Sequence, residues 1–207
     1  MNYQTEQEKF WAGDFGDEYT DRNADHNIVT SNYAFFAKVL SKTIGVNSLL
    51  ELGANRGLNL LAIGGLKPEL KMTAVEINKK AAKECSKVPN VNVINQTIFD
   101  FVSDEQYDIT MTRGVLIHIN PNKLNEVYDI LYKYSKKYIF VSEYYNPTPV
   151  EVSYRNNSDK LFKRDFAGEL MDRYEDLELV DYGFVYHRDN NFPSDDNNWF
   201  LLRKGKE

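Results

Sequence analysis

The sequence predicts a Rossmann-like α/β fold: a central, mostly parallel seven-stranded sheet with an antiparallel last strand, helices on both faces, and an N-terminal cap. Three observations carry that expectation. Between residues 48 and 142, short apolar runs alternate with helical patterns, as buried parallel strands joined by crossover helices do. The stretch Leu49-Leu50-Glu51-Leu52-Gly53-Ala54-Asn55-Arg56-Gly57-Leu58-Asn59 leads an apolar run through a Gly-x-Asn-x-Gly turn into a helix. That is how a strand end brings a helix N-terminus up to a ligand. Near the end, two long strand patterns flank a turn-rich segment, a hairpin that reverses the last strand.

The first thirty residues mix aromatic and acidic side chains with Gly13 and Gly16, so a cap folded over something is expected rather than one regular helix. Residues 31–42 set Phe35, Phe36, Val39 and Leu40 on one helical face, with Ser31 as N-cap and Gly45 as the stop. Strands are expected over Ser48–Leu52, 71–77, 91–94, 107–112 and 137–142. Helices fall between them, over Leu58–Leu66 (ended near Gly64-Gly65 and Pro68) and 79–87. Another sets Leu124, Val127, Tyr128 and Leu131 at i, i+3, i+4 and i+7. A helix near 164–174 precedes strands over 177–187 and 198–203, joined by the turn-rich residues 189–196. No linker, repeat or low-complexity segment divides the chain. It reads as one domain over 1–207, with cap and helix in 1–45 and the Rossmann-like core in 46–207.

A chain of 207 residues with 42% apolar and 14% aromatic side chains has room for a sizeable core. A net charge of −6 disfavours a general nucleic-acid binder, which needs a basic stripe for phosphates. Fourteen tyrosines supply amphipathic rings suited to polar organic substrates. The single cysteine, Cys85, excludes an internal disulfide and a Cys-based zinc cluster, and its helical spacing with Ile77, Ala81 and Val88 marks a core thiol. Three dispersed histidines make no metal site persuasive. No signal pattern or membrane-length apolar run is present, so a cytoplasmic protein without a membrane partner is expected.

The glycine turn narrows the chemistry. Gly53 and Gly57 let backbone pass close to a bound molecule, and Asn55 is the non-glycine type best able to hold a positive φ. Nicotinamide and flavin enzymes want Gly-x-Gly-x-x-Gly. Here two glycines stand four apart, with Glu51 just upstream. The stretch resembles motif I of the class I S-adenosyl-L-methionine (SAM)-dependent methyltransferases. That resemblance implies that Gly53, Asn55, Gly57 and Asn59 cradle the methionine part of SAM, and that Glu51 meets its ammonium directly or through water.

Other residues then take places around the cofactor. Glu76, followed by Ile77, ends the second strand, where an acid accepts both ribose hydroxyls of an adenosine. Thr97 and Ile98 follow the third strand, in the loop that passes the adenine in a SAM fold. Arg113 and Gly114, after the fourth strand, face the methionine end of the cofactor, unless Arg113 pairs with a surface acid. From the cap, Trp11, Tyr19 and Arg22 would close over SAM, with Arg22 the best cation for its carboxylate.

Two general bases are candidates for an acceptor hydroxyl, His118 and Glu143. His118 lies in a Val-Leu-x-His-Ile-x-Pro run that is widespread in class I methyltransferases, often with no catalytic role; His26 and His187 are weaker candidates. The fifth strand empties into Glu143-Tyr144-Tyr145-Asn146-Pro147, at the carboxyl edge where open parallel sheets place their sites. Tyr144 and Tyr145 are candidates to stack on a sugar or base. Arg155, Lys163 and Arg164 read either as substrate-anion ligands or as surface pairs.

Longer stretches carry a closer resemblance. Phe10-Trp11-Ala12-Gly13-Asp14-Phe15-Gly16-Asp17-Glu18-Tyr19, Glu51-Leu52-Gly53-Ala54-Asn55, Glu143-Tyr144-Tyr145-Asn146-Pro147-Thr148-Pro149-Val150-Glu151, Leu161-Phe162-Lys163-Arg164-Asp165-Phe166-Ala167-Gly168-Glu169 and Asp181-Tyr182-Gly183-Phe184-Val185-Tyr186-His187-Arg188-Asp189 resemble the bacterial pseudaminic acid biosynthesis-associated methylases. The resemblance implies methyl transfer to an oxygen, or less readily a nitrogen, of a sugar-type small molecule. The acceptor would be a nonulosonic acid or nucleotide-sugar intermediate of surface polysaccharide biosynthesis. The alternatives are a protein or RNA methyltransferase, disfavoured by the acidic balance, and a non-catalytic SAM-binding regulator.

Overall fold

The apolar runs become one seven-stranded sheet of order β3-β2-β1-β4-β5-β9-β8. Strands β1 (Ser48–Leu52), β2 (Lys71–Glu76), β3 (Val91–Asn95), β4 (Tyr107–Arg113) and β5 (Ser135–Glu143) pair in parallel. The last strand, β9 (Asn198–Lys204), inserts antiparallel between β5 and β8 (Leu177–Phe184). This computed structural model describes residues 1–22 and 26–205, with the side chains of His26 and Asn27 not described. The cap reading at Asn23 and the candidacy of His26 lie outside the described residues.

Period-two alternation puts an apolar layer on each face of the sheet. On one face, Leu50 and Leu52 of β1 pack with Ile139, Val141 and Leu202 under α6 (Leu124–Tyr134) and α7 (Phe166–Arg173). On the other, Leu49, Ile109, Met111, Phe140 and Leu201 pack under α3 (His26–Leu40), α4 (Leu58–Leu66) and Cys85 of α5 (Lys79–Cys85). At about 25 cal/mol per Å² of apolar area, these two layers hold the sheet together. Cys85 is fully buried, and burial pushes its thiol up to about 12, as expected of a core residue.

One local expectation is corrected. Ser31 is not an N-cap, because α3 already runs from His26 and buries Ser31 within it. Helix α4 has the expected span, Leu58–Leu66, and runs through Gly64 and Gly65. A side chain on Gly65 would lie 2.1 Å from the Tyr33 hydroxyl, so that glycine lets α3 approach α4 closely. After β5, a short strand β6 (Val150–Glu151) pairs antiparallel with β7 (Phe162–Lys163).

The cap consists of two helices, α1 (Glu6–Ala12) and α2 (Asp14–Arg22), broken at Gly13. Thr5 and Glu8 form a reciprocal capping box at the start of α1. Glu8 also reaches the core, accepting from the Thr97 hydroxyl at 2.5 Å. Asn78 donates to the Trp11 carbonyl at 3.2 Å and to Asp17 at 2.8 Å, and Arg56 donates to the Thr20 carbonyl at 3.1 Å. These bonds tie the cap to the carboxyl edge of the sheet.

Candidate functional site

The strand-to-helix turn holds Gly53 at φ 74°, Asn55 at 47° and Gly57 at 76°, the left-handed region where a β-carbon is costly. A side chain on Gly53 would lie 2.6 Å from Val115, and one on Gly57 would lie 2.7 Å from the Cys85 sulfur. Both glycines therefore serve close packing as well as backbone conformation. Gly114, at φ 66°, differs, since a β-carbon there would meet nothing within 4 Å.

Three buried acids stand behind this edge, with different partners. Glu76 accepts from the backbone N–H of Asn55 at 2.7 Å and of Asn78 at 2.8 Å, one on each oxygen. The carboxylate keeps acceptor capacity for ligand hydroxyls. Glu51 accepts from Asn59 at 2.7 Å, while its Oε2 has no partner among the described residues. Burial pushes Glu51 up to about 8, against the Asn59 hydrogen bond and the Arg113 charge. Glu143 accepts from Val115, Leu116 and Ile117 N–H groups at 3.1, 3.2 and 3.4 Å, and burial pushes it up to about 7. It anchors the loop after Gly114 and lines neither cavity described below, which corrects its candidacy as a base in contact with substrate.

Two cavities open at the carboxyl edge. The first, about 890 Å³, lies between the cap and the ends of β1–β4. Glu76, Ile77, Thr97 and Ile98 form its floor, with Phe99 and Val115 adding apolar surface. Trp11 and Tyr19 close it from the cap. Trp11 packs against Tyr19 at 5.2 Å and His118 at 4.5 Å between centroids, and its indole N–H is buried without a partner among the described residues. His118 also lines this cavity. Its Nδ1 lies 2.6 Å from the Lys160 carbonyl, so Nδ1 carries the proton. Burial pushes its basicity down to about 4, partly offset by that bond.

The second cavity, about 1140 Å³, shares Tyr19, Gly53, Asn55, Arg113 and Gly114 with the first. Asn32 and Asn59 form one wall, and His187, Ser194, Asp195 and Asn197 of the β8–β9 connection form the other. Arg113 ties these walls together. Its guanidinium donates to Asn32 at 2.5 Å, to Asn59 at 2.9 Å and to Ser194 at 2.8 Å, and it lies 4.8 Å from the Phe35 ring centroid. The expectation of a surface-acid partner is thus replaced by neutral oxygens. Burial holds Arg113 below the usual guanidinium range, opposed by Asp195 and Glu51.

Other expected residues fall away from the cavities. Arg22 is exposed, 3.5 Å from Glu18 and beside the Phe15 and Tyr19 rings, so the cap turns it toward solvent rather than toward a cofactor carboxylate. Gly57 lies behind the turn against Cys85, and Glu51 stands one side chain behind the second cavity, through Asn59. Arg164 is held by Glu169 at 2.7 Å, and Arg155 lies over the Tyr154 ring. Lys163 stands over the Tyr144 ring at 5.2 Å. Tyr145 is exposed, 6.2 Å from Phe200 between centroids. Arg155, Lys163 and Arg164 line neither cavity, so they do not converge there as an anion site. Sequence reasoning missed Asn32 and, His187 apart, the β8–β9 wall; it also missed Glu8, whose Thr-x-x-Glu capping signal was readable.

No protein-family model matches the sequence, and no curated protein matches it at a significant level. Solved structures do. The Burkholderia thailandensis 1,6-didemethyltoxoflavin-N1-methyltransferase, with its namesake substrate and S-adenosylhomocysteine (SAH) bound, is 16% identical at a TM-score of 0.72 over 100% of this chain and 92% of its own. The plantazolicin methyltransferase BpumL in complex with SAH is 16% identical at 0.69, over 97% and 94%. The magnesium protoporphyrin IX methyltransferase of Synechocystis, with bound SAH, is 10% identical at 0.70, over 96% and 98%. The chain has the Rossmann-like fold of class I SAM-dependent methyltransferases.

Proposed function

We propose that this protein is a SAM-dependent methyltransferase acting on an oxygen of a small sugar-type acceptor. One observation carries the reading: two cavities meet at the Gly53–Asn55 turn and at Arg113-Gly114, on the carboxyl edge of this sheet. The donor set fits the cofactor. The Glu76 carboxylate suits two ribose hydroxyls, the Trp11 N–H waits for an acceptor, and open space faces Gly114. Glu51, its proton held by burial, would give that proton up beside an ammonium group. When bound, SAM supplies a methyl group activated on a sulfonium for in-line displacement.

The protein's own residues align and enclose. Ile77, Ile98 and Phe99 offer apolar surface for a planar base. The cap, latched through Glu8–Thr97 and Asn78–Trp11, excludes water from the first cavity. Two of the neighbours are named for small-molecule acceptors, a magnesium porphyrin and a toxoflavin precursor, which supports a small acceptor here. The sugar class, with a nonulosonic acid or nucleotide sugar foremost, rests on the sequence resemblance alone.

Calorimetric titration with SAH, repeated with a cytidine-nucleotide sugar present, tests both levels. SAH is expected to bind, and more tightly with the second ligand. No SAH binding would overturn the methyltransferase reading. Binding indifferent to the nucleotide sugar would remove that acceptor class and move the search to free sugars, glycans and macromolecules.

A further inference from the structure

A hydroxyl acceptor needs a group to take its proton, and neither expected base is placed to do so. The Glu143 carboxylate is taken up by the backbone N–H groups of Val115, Leu116 and Ile117, in the loop after β4. His118 packs under Trp11 and Tyr154 in the first cavity, its Nδ1 bound to a carbonyl. A third candidate stands on the wall of the second cavity. His187 lines that cavity, and its Nδ1 lies 2.9 Å from both carboxylate oxygens of Asp196. The backbone N–H of His187 donates to the same carboxylate at 2.9 Å. A carboxylate on Nδ1 fixes the proton there and leaves the Nε2 lone pair outward. Among the described residues, Nε2 has no hydrogen-bond partner.

The rest of that wall indicates what the cavity accepts. Asn197 is buried, with its Oδ1 unpartnered among the described residues, and the Asp195 carboxylate stands two residues away on the same wall. Of the cationic side chains in the wall, Arg113 is held by Asn32, Asn59 and Ser194, and Arg56 by the Thr20 carbonyl and Glu84. The cavity therefore presents unpaired acceptors and no unpaired guanidinium, which suits a ligand rich in hydroxyl donors and disfavours an anionic group at this spot.

Resting on the methyltransferase reading, we propose that His187 is the general base for methyl transfer, held in its working tautomer by Asp196, and that the second cavity takes a polyhydroxylated acceptor. As the acceptor oxygen forms its bond to the methyl carbon, its proton passes to Nε2. The carbon–sulfur bonding pair goes to sulfur, leaving the methyl ether and SAH, and the imidazolium returns its proton to solvent. His187 is the catalytic residue and Asp196 a positioning residue.

The test uses the full chain as wild type, Asp196→Asn and His187→Gln. Long-range proton–nitrogen NMR of the SAH complex is expected to show His187 as the Nδ1–H tautomer in wild type and to lose that preference in Asp196→Asn. SAH affinity by calorimetry should stay within about twofold in both variants, since His187 stands on the wall opposite Asn32 and Asn59 and Asp196 lines neither cavity. With radiolabelled SAM and a panel of free and cytidine-linked sugars, His187→Gln should lower kcat by roughly 10²–10⁴-fold without raising KM for SAM. An Nε2–H tautomer in wild type, or an unchanged kcat in His187→Gln, overturns the proposal. Failure of SAH to bind any of the three proteins would instead indict the cofactor reading, whereas normal SAH binding with the wrong tautomer sinks the base alone.

Discussion

The two cavities meet at one wall and are built in opposite ways. The first is assembled from strand ends that follow one another in the chain, roofed by α1 and α2, with apolar side chains against most of its surface. The second draws its walls from α3, the glycine turn, the end of β4 and the β8–β9 connection, and those walls mix polar and apolar surface about equally. The first suits an invariant ligand that always presents the same base and ribose. One wall of the second is a connecting segment between β8 and β9, whose side chains can change without disturbing the sheet. The contrast separates what the fold supplies from what this chain adds.

The largest expected effect falls on the shared wall. Gly53→Val puts a β-branched side chain at a left-handed position and against Val115, costing roughly 2–4 kcal/mol of stability. It should also abolish measurable SAH binding in calorimetry on whatever folds. A variant that folds and binds SAH normally would mean that the two cavities do not meet where the ligand lies.

A second experiment asks whether the loop behind the shared wall is anchored electrostatically. Burial raises Glu143 to about 7 in the folded chain, from about 4.5 for an exposed carboxyl. Its contribution is fully present below about pH 4.5 and is lost as pH rises through about 7. Urea unfolding of wild type and Glu143→Gln across that window should show wild type losing about 3 kcal/mol relative to the variant. A difference that does not vary with pH would show that Glu143 titrates as it does in the unfolded chain.

The smallest effect belongs to His118. His118→Phe keeps a ring against Trp11 and Tyr154 and removes the bond to the Lys160 carbonyl. Stability should fall by about 1 kcal/mol, with SAH affinity and kcat nearly unchanged. A large fall in kcat at constant affinity would return the base to the first cavity and break the division of labour.

The first cavity was largely legible in the sequence because its parts announce themselves locally. An apolar run, a glycine turn and strand-end acids define Gly53, Asn55 and Glu76 within a short span, and parallel strands buried on both faces leave continuous apolar runs that fix β1 to β5 closely. The second was not. Arg113 and Ser194 meet across 81 positions, and the Asp, Asn, Pro and Ser of residues 189–196 signal a turn without saying which side chains face inward. Arg22 failed for a related reason: its charge was visible, but the direction it points depends on how α2 settles on Asn78, where Gly16 permits close approach. The start of α3 was misjudged because Ser31 has N-cap chemistry, yet its burial against neighbouring elements outweighs that preference.

The insertion of β9 between β5 and β8 has a consequence for synthesis. Strand β8 leaves the ribosome before β9, but it joins the sheet only through β9. Until β9 emerges and threads into its slot, β8 and the connection carrying His187 and Asn197 have no sheet to hold them. The strand ends of the first cavity thus leave the ribosome well before the opposite wall of the second, which is the last part of the site to be completed.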